Sequence, residues 1–247
     1  MQQSNLYVVF YTFALTAICG AILATAALGL KSAQDANIAL EKRQNILQTV
    51  MEVPTREAAA SIYKERVRSY VINFKGEVVE KDATGSKIVP EDLDIAKEWK
   101  KKPEERLLPI FEILSTDKSK TEYYVLPVYG YGLWNDIWGY VSLKEDLNTI
   151  YGVKFDHKGE TPGLGARIAT DEIQKRYKEK QLFAGNELKS VMMMKGEGSD
   201  YNADKHKVDG MSGATITGVG VNAMLKDYFA CYQNFIQTKS KKLSLNE

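Results

Sequence analysis

A chain of 247 residues is long enough for a sizeable core, as one large domain or two small ones. Its 33 basic and 32 acidic residues leave a net charge of +1 and are evenly mixed, which argues against a nucleic-acid partner and leaves most charges as solvated surface. Two cysteines and two histidines without ligand spacing argue against a self-contained zinc or iron–sulfur centre.

The first thirty positions carry no charged side chain. Residues 6–30 form a run of about 25 mostly apolar positions, roughly 37 Å as a helix against a hydrocarbon core of about 30 Å. Tyr7 and Tyr11 lie at one end, where interfacial aromatics belong. Ala24-Thr25-Ala26 has the form of a signal-peptide cleavage site, but residues 1–5 lack the basic n-region and the apolar run is too long. The expectation is a retained transmembrane anchor over residues 1–30. Lys31, Lys42 and Arg43 follow it and nothing basic precedes it, a bias that alone would hold the rest of the chain in the cytoplasm.

Residues 31–60 read as a helical linker, with Ile38, Ile46, Leu47 and Val50 extending the first helix before Pro54 stops it. Residues 64–74 and 77–80, joined through Lys75-Gly76, have the pattern of a hairpin. Residues 91–104 are charged, contain Pro103 and read as a surface loop with a helical turn. Strands are expected at 111–114, 123–128, 138–143 and 149–155, with a glycine-containing turn at 130–135. A short helix over 171–181, capped by Thr170 or Asp171, and a strand over 188–194 follow. The order predicts an α+β domain with a largely antiparallel sheet. Residues 61–120 would form its N-terminal part and 121–247 the portion that carries the chemistry.

After Gly218, apolar residues Val221, Met224, Leu225, Tyr228, Phe229, Tyr232, Phe235 and Ile236 share one helical face. A helix starting near Gly218 leaves Thr217 as its N-cap, behind a loop of small residues that can turn tightly. Such a start suits a phosphate, because open N–H groups and the positive dipole end converge there, and a threonine hydroxyl could carry the phosphate as an ester. Thr215, two residues earlier, is expected in the loop.

The string Asp209-Gly210-Met211-Ser212-Gly213-Ala214-Thr215-Ile216-Thr217 resembles the flavinylation motif of the extracytoplasmic FMN-binding domain family. The resemblance implies FMN joined covalently through its phosphate to Thr217 by a separate flavin transferase, with Lys207, Asp209, Ser212, Gly213, Ala214 and Thr215 around it. Gly132-Leu133-Trp134 and Glu160-Thr161-Pro162-Gly163-Leu164-Gly165 are turns on composition alone. Both also recur in this family, particularly in the C subunits of the sodium-translocating NADH:quinone oxidoreductases, where the second loop lies against the flavin ring. Carried over, Thr161 would supply a hydrogen bond and Leu164 an apolar platform, with Gly163 and Trp134 beside them.

The same resemblance implies an electron-relay subunit of a membrane complex, working with other membrane subunits and not catalytic alone. It also implies a soluble domain on the extracytoplasmic side of a bacterial inner membrane, against the local charge bias. The G subunit of the related Rnf ferredoxin:NAD oxidoreductase is the nearest alternative; the long segment between anchor and sheet and Gly132-Leu133-Trp134 favour the first. A membrane-tethered, non-redox binding protein, in which the motif only caps a helix, belongs to a different class and would hold no flavin. No Gly-x-Gly-x-x-Gly follows a strand, so NADH is not expected to bind here. Cys19 and Cys231 lie in segments too far apart to pair.

Overall fold

The computed structural model describes residues 4–82 and 84–244. The chain divides into two compact units, Met1–Lys42 and Arg43–Glu247.

Helix α1 spans Asn5–Gln48 without interruption. Its N-terminal part is long and apolar enough to cross a membrane, and its side chains there are exposed. The threonine hydroxyls in that part are satisfied within the helix: Thr12, Thr16 and Thr25 each donate to the carbonyl four residues back, at 2.7–2.8 Å. A helix that meets its own polar needs in this way suits a hydrocarbon surrounding.

In the second unit, the end of α1 is followed by α2 (Arg56–Arg66), capped by Thr55, whose side chain accepts from the Ala58 N–H at 3.2 Å. Glu57 in the first turn and Lys64 and Arg66 in the last complement the helix dipole. This helix takes residues 64–66 from the expected hairpin, so the first strand, β1, is Val67–Ile72. The hairpin partner is reduced to a bridge between Ile72 and Val78 and the Val79 N–H bond to Val71. The helical turn expected in the charged stretch that follows is the short helix α3 (Ile95–Trp99).

Strands β2 (Leu108–Leu114), β3 (Thr121–Tyr131), β4 (Asp136–Leu143) and β5 (Ile150–His157) complete a five-stranded antiparallel sheet whose spatial order is the chain order. Both faces are covered, so the strands alternate between two cores. Leu108 and Ile110 of β2 face the larger core, while Phe111 and Ile113 pack with Ile46, Leu47, Ala59 and Tyr63. The larger core is filled by α5 (Thr215–Ser244), and every apolar position read from its sequence is buried. Tyr232 keeps its buried hydroxyl satisfied by donating to the Pro127 carbonyl at 3.0 Å.

Between β5 and α5 the chain is mostly turns. The expected helix over 171–181 shortens to α4 (Asp171–Lys175), preceded by a 3₁₀ segment, Gly165–Ala169. The expected strand over 188–194 is broken at Ser190, which has φ of 59°. Two-residue pieces remain: β6 (Phe183–Ala184) pairs with β7 (Glu187–Leu188), and β8 (Met192–Met193) pairs in parallel with β9 (Lys207–Val208).

Candidate functional site

Helix α5 begins at Thr215, not near Gly218: the Gly218 N–H bonds to the Ala214 carbonyl at 3.0 Å, which makes Ala214 the cap. The expectation that Thr217 is the N-cap and Thr215 a loop residue is therefore corrected. The motif's small residues already complete the turn at 211–214, where the Ala214 N–H bonds to the Met211 carbonyl and Gly213 supplies a φ of +73°. Nothing then delays the first helical residue. The N–H groups of Thr215, Ile216 and Thr217 occupy the first three helical positions and have no acceptor within the helix. The open donors expected at Gly218 and beyond are thus found one turn earlier.

The two threonines differ. Thr215 and Ile216 are exposed, whereas Thr217 is 1 % exposed and donates its hydroxyl to Glu160 Oε2 at 2.5 Å. Glu160, itself 4 % exposed, accepts the Trp134 N–H on its other oxygen at 2.9 Å. A side chain at Gly132 would lie 2.5 Å from Oε1, and one at Gly165 would lie 2.4 Å from Oε2 and 2.5 Å from the Thr217 hydroxyl. Glycine at both positions is what lets the carboxylate fit. Burial raises the Glu160 pKa, but hydrogen bonds from Thr217 and from the backbone of Trp134, Asn135 and Leu133 outweigh it and hold the carboxyl below its ordinary value.

Around this centre lie the turns singled out in the sequence. Thr161 closes its turn with its carbonyl, which accepts the Leu164 N–H at 3.1 Å and the Ala166 N–H at 3.2 Å. Gly163 has φ of +76° and open space beside it. Leu164, 42 % exposed, leans over Gly213, where a Cβ would meet its Cδ2 at 2.8 Å. Trp134 is tied by its backbone while its side chain is 68 % exposed. Trp134, Thr161, Gly163, Leu164, Gly213, Ala214, Thr215 and Thr217 thus belong to one neighbourhood.

Asp209 and Lys207 are engaged elsewhere. The Asp209 carboxylate accepts the Gly198 N–H at 2.8 Å and the Ser199 N–H at 3.2 Å, so it braces a neighbouring loop. Lys207 Nζ pairs with Asp204 Oδ2 at 3.1 Å. Ser212 enters through its backbone, donating to Glu197 at 3.0 Å. Glu197 is held in turn by Arg167 at 2.6 Å and Arg176 at 2.8 Å, and those guanidiniums keep its carboxyl far below the usual range. Arg176 also donates to the Gly210 carbonyl, so the motif loop is gripped from outside by a charged pair.

Sequence reasoning did not single out Glu160, Glu197, Arg167 or Arg176. Glu160 had a signal in its place at the head of a Pro-Gly turn. The others carry none, because the contacts that join them to one another and to the motif loop span 15 to 34 residues along the chain. Chemically, the arrangement offers an anion site at the start of α5, an exposed hydroxyl beside it, and exposed apolar side chains at Leu164, Ile216 and Trp134. Among the described residues no group of acidic, histidine or cysteine side chains could hold a metal ion.

Residues 132–230 match the family model of the FMN-binding domain. Over 228 residues the chain is 33% identical to the C subunit of the Na(+)-translocating NADH-quinone reductase of Haemophilus ducreyi, covering 87% of this chain and 86% of that one. The corresponding C subunit of Vibrio parahaemolyticus is 32% identical, with 84% of each chain covered. The crystal structure of the C subunit from Parabacteroides distasonis superposes with a TM-score of 0.72 at 35% identity, covering 84% of this chain and 96% of that one. NqrC from Shewanella oneidensis gives 0.70 at 28% identity, covering 83% and 99%. With the fold, the turns around Glu160 and the start of α5 all falling inside these matches, the chain belongs to the family of C subunits of the Na(+)-translocating NADH-quinone reductases, which are parts of an oxidoreductase complex.

Proposed function

We propose that this chain carries FMN as a phosphoester on the Thr215 hydroxyl and relays electrons between other membrane subunits of a sodium-pumping NADH:quinone reductase. The observation that carries the reading is the exposed Thr215 hydroxyl at the first position of α5, next to three N–H groups without helical acceptors. Thr217 is the weaker carrier, because its hydroxyl is buried and already donates to Glu160. The residues present fit the group: open donors and Gly213 suit a phosphate, and Leu164 and Trp134 offer apolar surface for a planar ring. When bound, FMN supplies one-electron chemistry that no side chain here performs. The protein's own part is to hold the phosphate, to present an apolar face to the ring and to fix both against a rigid sheet.

A flavin transferase would be the maturation partner. The anchor in α1 fits single-pass membrane attachment, and the soluble unit is assigned to the extracytoplasmic side on family likeness. Full-length protein made in cells that contain the transferase is expected to run as a fluorescent band on a denaturing gel. Thr215→Ala should abolish the band, while Thr217→Ala should leave flavin at Thr215. Peptide mapping that puts the flavin of the wild type on Thr217 would refute the choice of hydroxyl. A wild type that never acquires flavin would refute the function.

A further inference from the structure

Three segments distant in the chain meet at one carboxylate. Glu160 accepts from the turn after β3 through Trp134, accepts from the first turn of α5 through Thr217, and itself begins the turn that ends in Leu164. Its own N–H donates to His157 Nδ1 at 3.3 Å, which ties it back to the end of β5. The glycines at 132 and 165 are the two positions at which a side chain would collide with its oxygens. A buried carboxylate is costly unless its lone pairs are filled, and here both oxygens are occupied by donors from separate elements. The surface that Trp134 and Leu164 present beside Thr215 is therefore held in place by this group.

We propose that Glu160 is a positioning residue of the flavin site: it clamps the 132–135 and 160–165 turns to the start of α5, fixing the apolar surface beside the carrier hydroxyl. Thr217 is then the helix's contribution to the clamp. The inference rests on the function proposed above for the ligand, whereas the clamp can be tested without it.

The experiment uses the full chain in detergent, made with and without the transferase, as Glu160→Ala, Glu160→Gln and Thr217→Val. Hydrogen exchange is followed by mass spectrometry in both forms, and induced visible circular dichroism in the loaded form. Hydrogen bonds to a charged acceptor are strong enough that their loss should speed local exchange about tenfold or more. In Glu160→Ala the peptides covering 131–136 and 212–218 should exchange faster by about that factor, with the central sheet unchanged. The flavin should stay attached yet lose most of its induced dichroism. Glu160→Gln, which keeps an acceptor for Trp134 and a hydrogen-bonding group for Thr217, should behave like the wild type in both. If Glu160→Ala fails to fold, Thr217→Val carries the test: it keeps the side-chain shape, and faster exchange is expected at 212–218.

Unchanged exchange in the folded variant, or an induced dichroism in loaded Glu160→Ala equal to that of the wild type, would overturn the proposal. Local exchange that accelerates in a chain that never takes flavin would retain the clamp while refuting the function assigned to the site.

Discussion

The first turns of α5 contain two glycines that a propensity argument treats alike and the structure separates. Replacing an interior helical glycine by alanine stabilises by about 1 kcal/mol, from propensity and a smaller unfolded-state entropy. At Gly218 the new methyl would lie 3.0 Å from Met193 Sδ and 3.6 Å from its Cγ. The end of a methionine moves easily, so most of the gain should survive. At Gly220 the methyl would lie 2.2 Å from the Tyr131 carbonyl oxygen and 3.1 Å from Gly132 Cα. Both are backbone atoms at the end of β3, held in register with β4 by the Tyr131–Asp136 pair. Relief requires moving the helix or the strand end, a strain of about 1–3 kcal/mol that outweighs the propensity gain. Set against the gain of about 1 kcal/mol, that strain leaves a net loss of up to about 2 kcal/mol, a fall of up to about 8 °C in the apparent midpoint for a folded unit of this size, while Gly218→Ala should equal or exceed the wild type. Thermal unfolding of the two full-length variants in the same detergent, followed by far-ultraviolet circular dichroism, measures the difference. If Gly220→Ala proves as stable as Gly218→Ala, the close approach of α5 to the Gly132 turn is not what positions the site.

Two further outcomes are expected. Glu112 is fully buried in the sheet; burial raises its pKa, but hydrogen bonds from Arg68 and Tyr70 and the charge of Lys239 prevail and leave it below the ordinary 4.5. A carboxyl depressed in the folded state stabilises above its unfolded pKa and loses that contribution as pH falls through the folded value, so stability should drop below about pH 4.5 and Glu112→Gln should flatten that drop; an unchanged acid limb in the variant would refute this. In cells, the protein should need detergent for extraction, and a C-terminal reporter active only in the cytoplasm should stay silent; a strong signal would reverse the topology assigned to the soluble unit.

How far each feature was legible depended on the kind of interaction that fixes it. The sheet and α5 are fixed by apolar periodicity, which a sequence displays directly, and Val221 through Ile236 are buried as their spacing requires. Helix α2 was read partly as strand at its end because the last turn, Lys64-Glu65-Arg66, adds no apolar position to the face made by Ala58, Ala59, Ile62 and Tyr63 and runs directly into β1. The strand over 188–194 failed for a backbone reason: Ser190 is in the left-handed region, which composition does not advertise. The start of α5 was misjudged by three residues because Thr217 was weighed as a cap and Thr215 as a loop residue, and not as members of the helical pattern. Counting back from Val221, Met224 and Tyr228, however, puts Thr217 on the same face as the core. That signal was present. The Glu197–Arg167–Arg176 grip was not legible, since it joins surface charges of a kind found throughout the chain.

The same helical geometry separates the two hydroxyls. Residues two apart on an α-helix project about 200° from each other, so when one faces a core the other faces away. Thr217 continues the buried line of Val221 and Met224, and Thr215 is turned outward as a consequence. A phosphoester on Thr217 would bring a second negative charge against the Glu160 carboxylate in a place with little water, where like charges repel far more than at the surface. One of the two would have to take up a proton or the clamp would have to open. A phosphoester on Thr215 meets the open end of the helix dipole and leaves the Thr217–Glu160 bond intact. On the function proposed above, the motif's threonines are unequal by construction: an outer hydroxyl to carry the phosphate, and an inner one to secure the surface against which the ring is held.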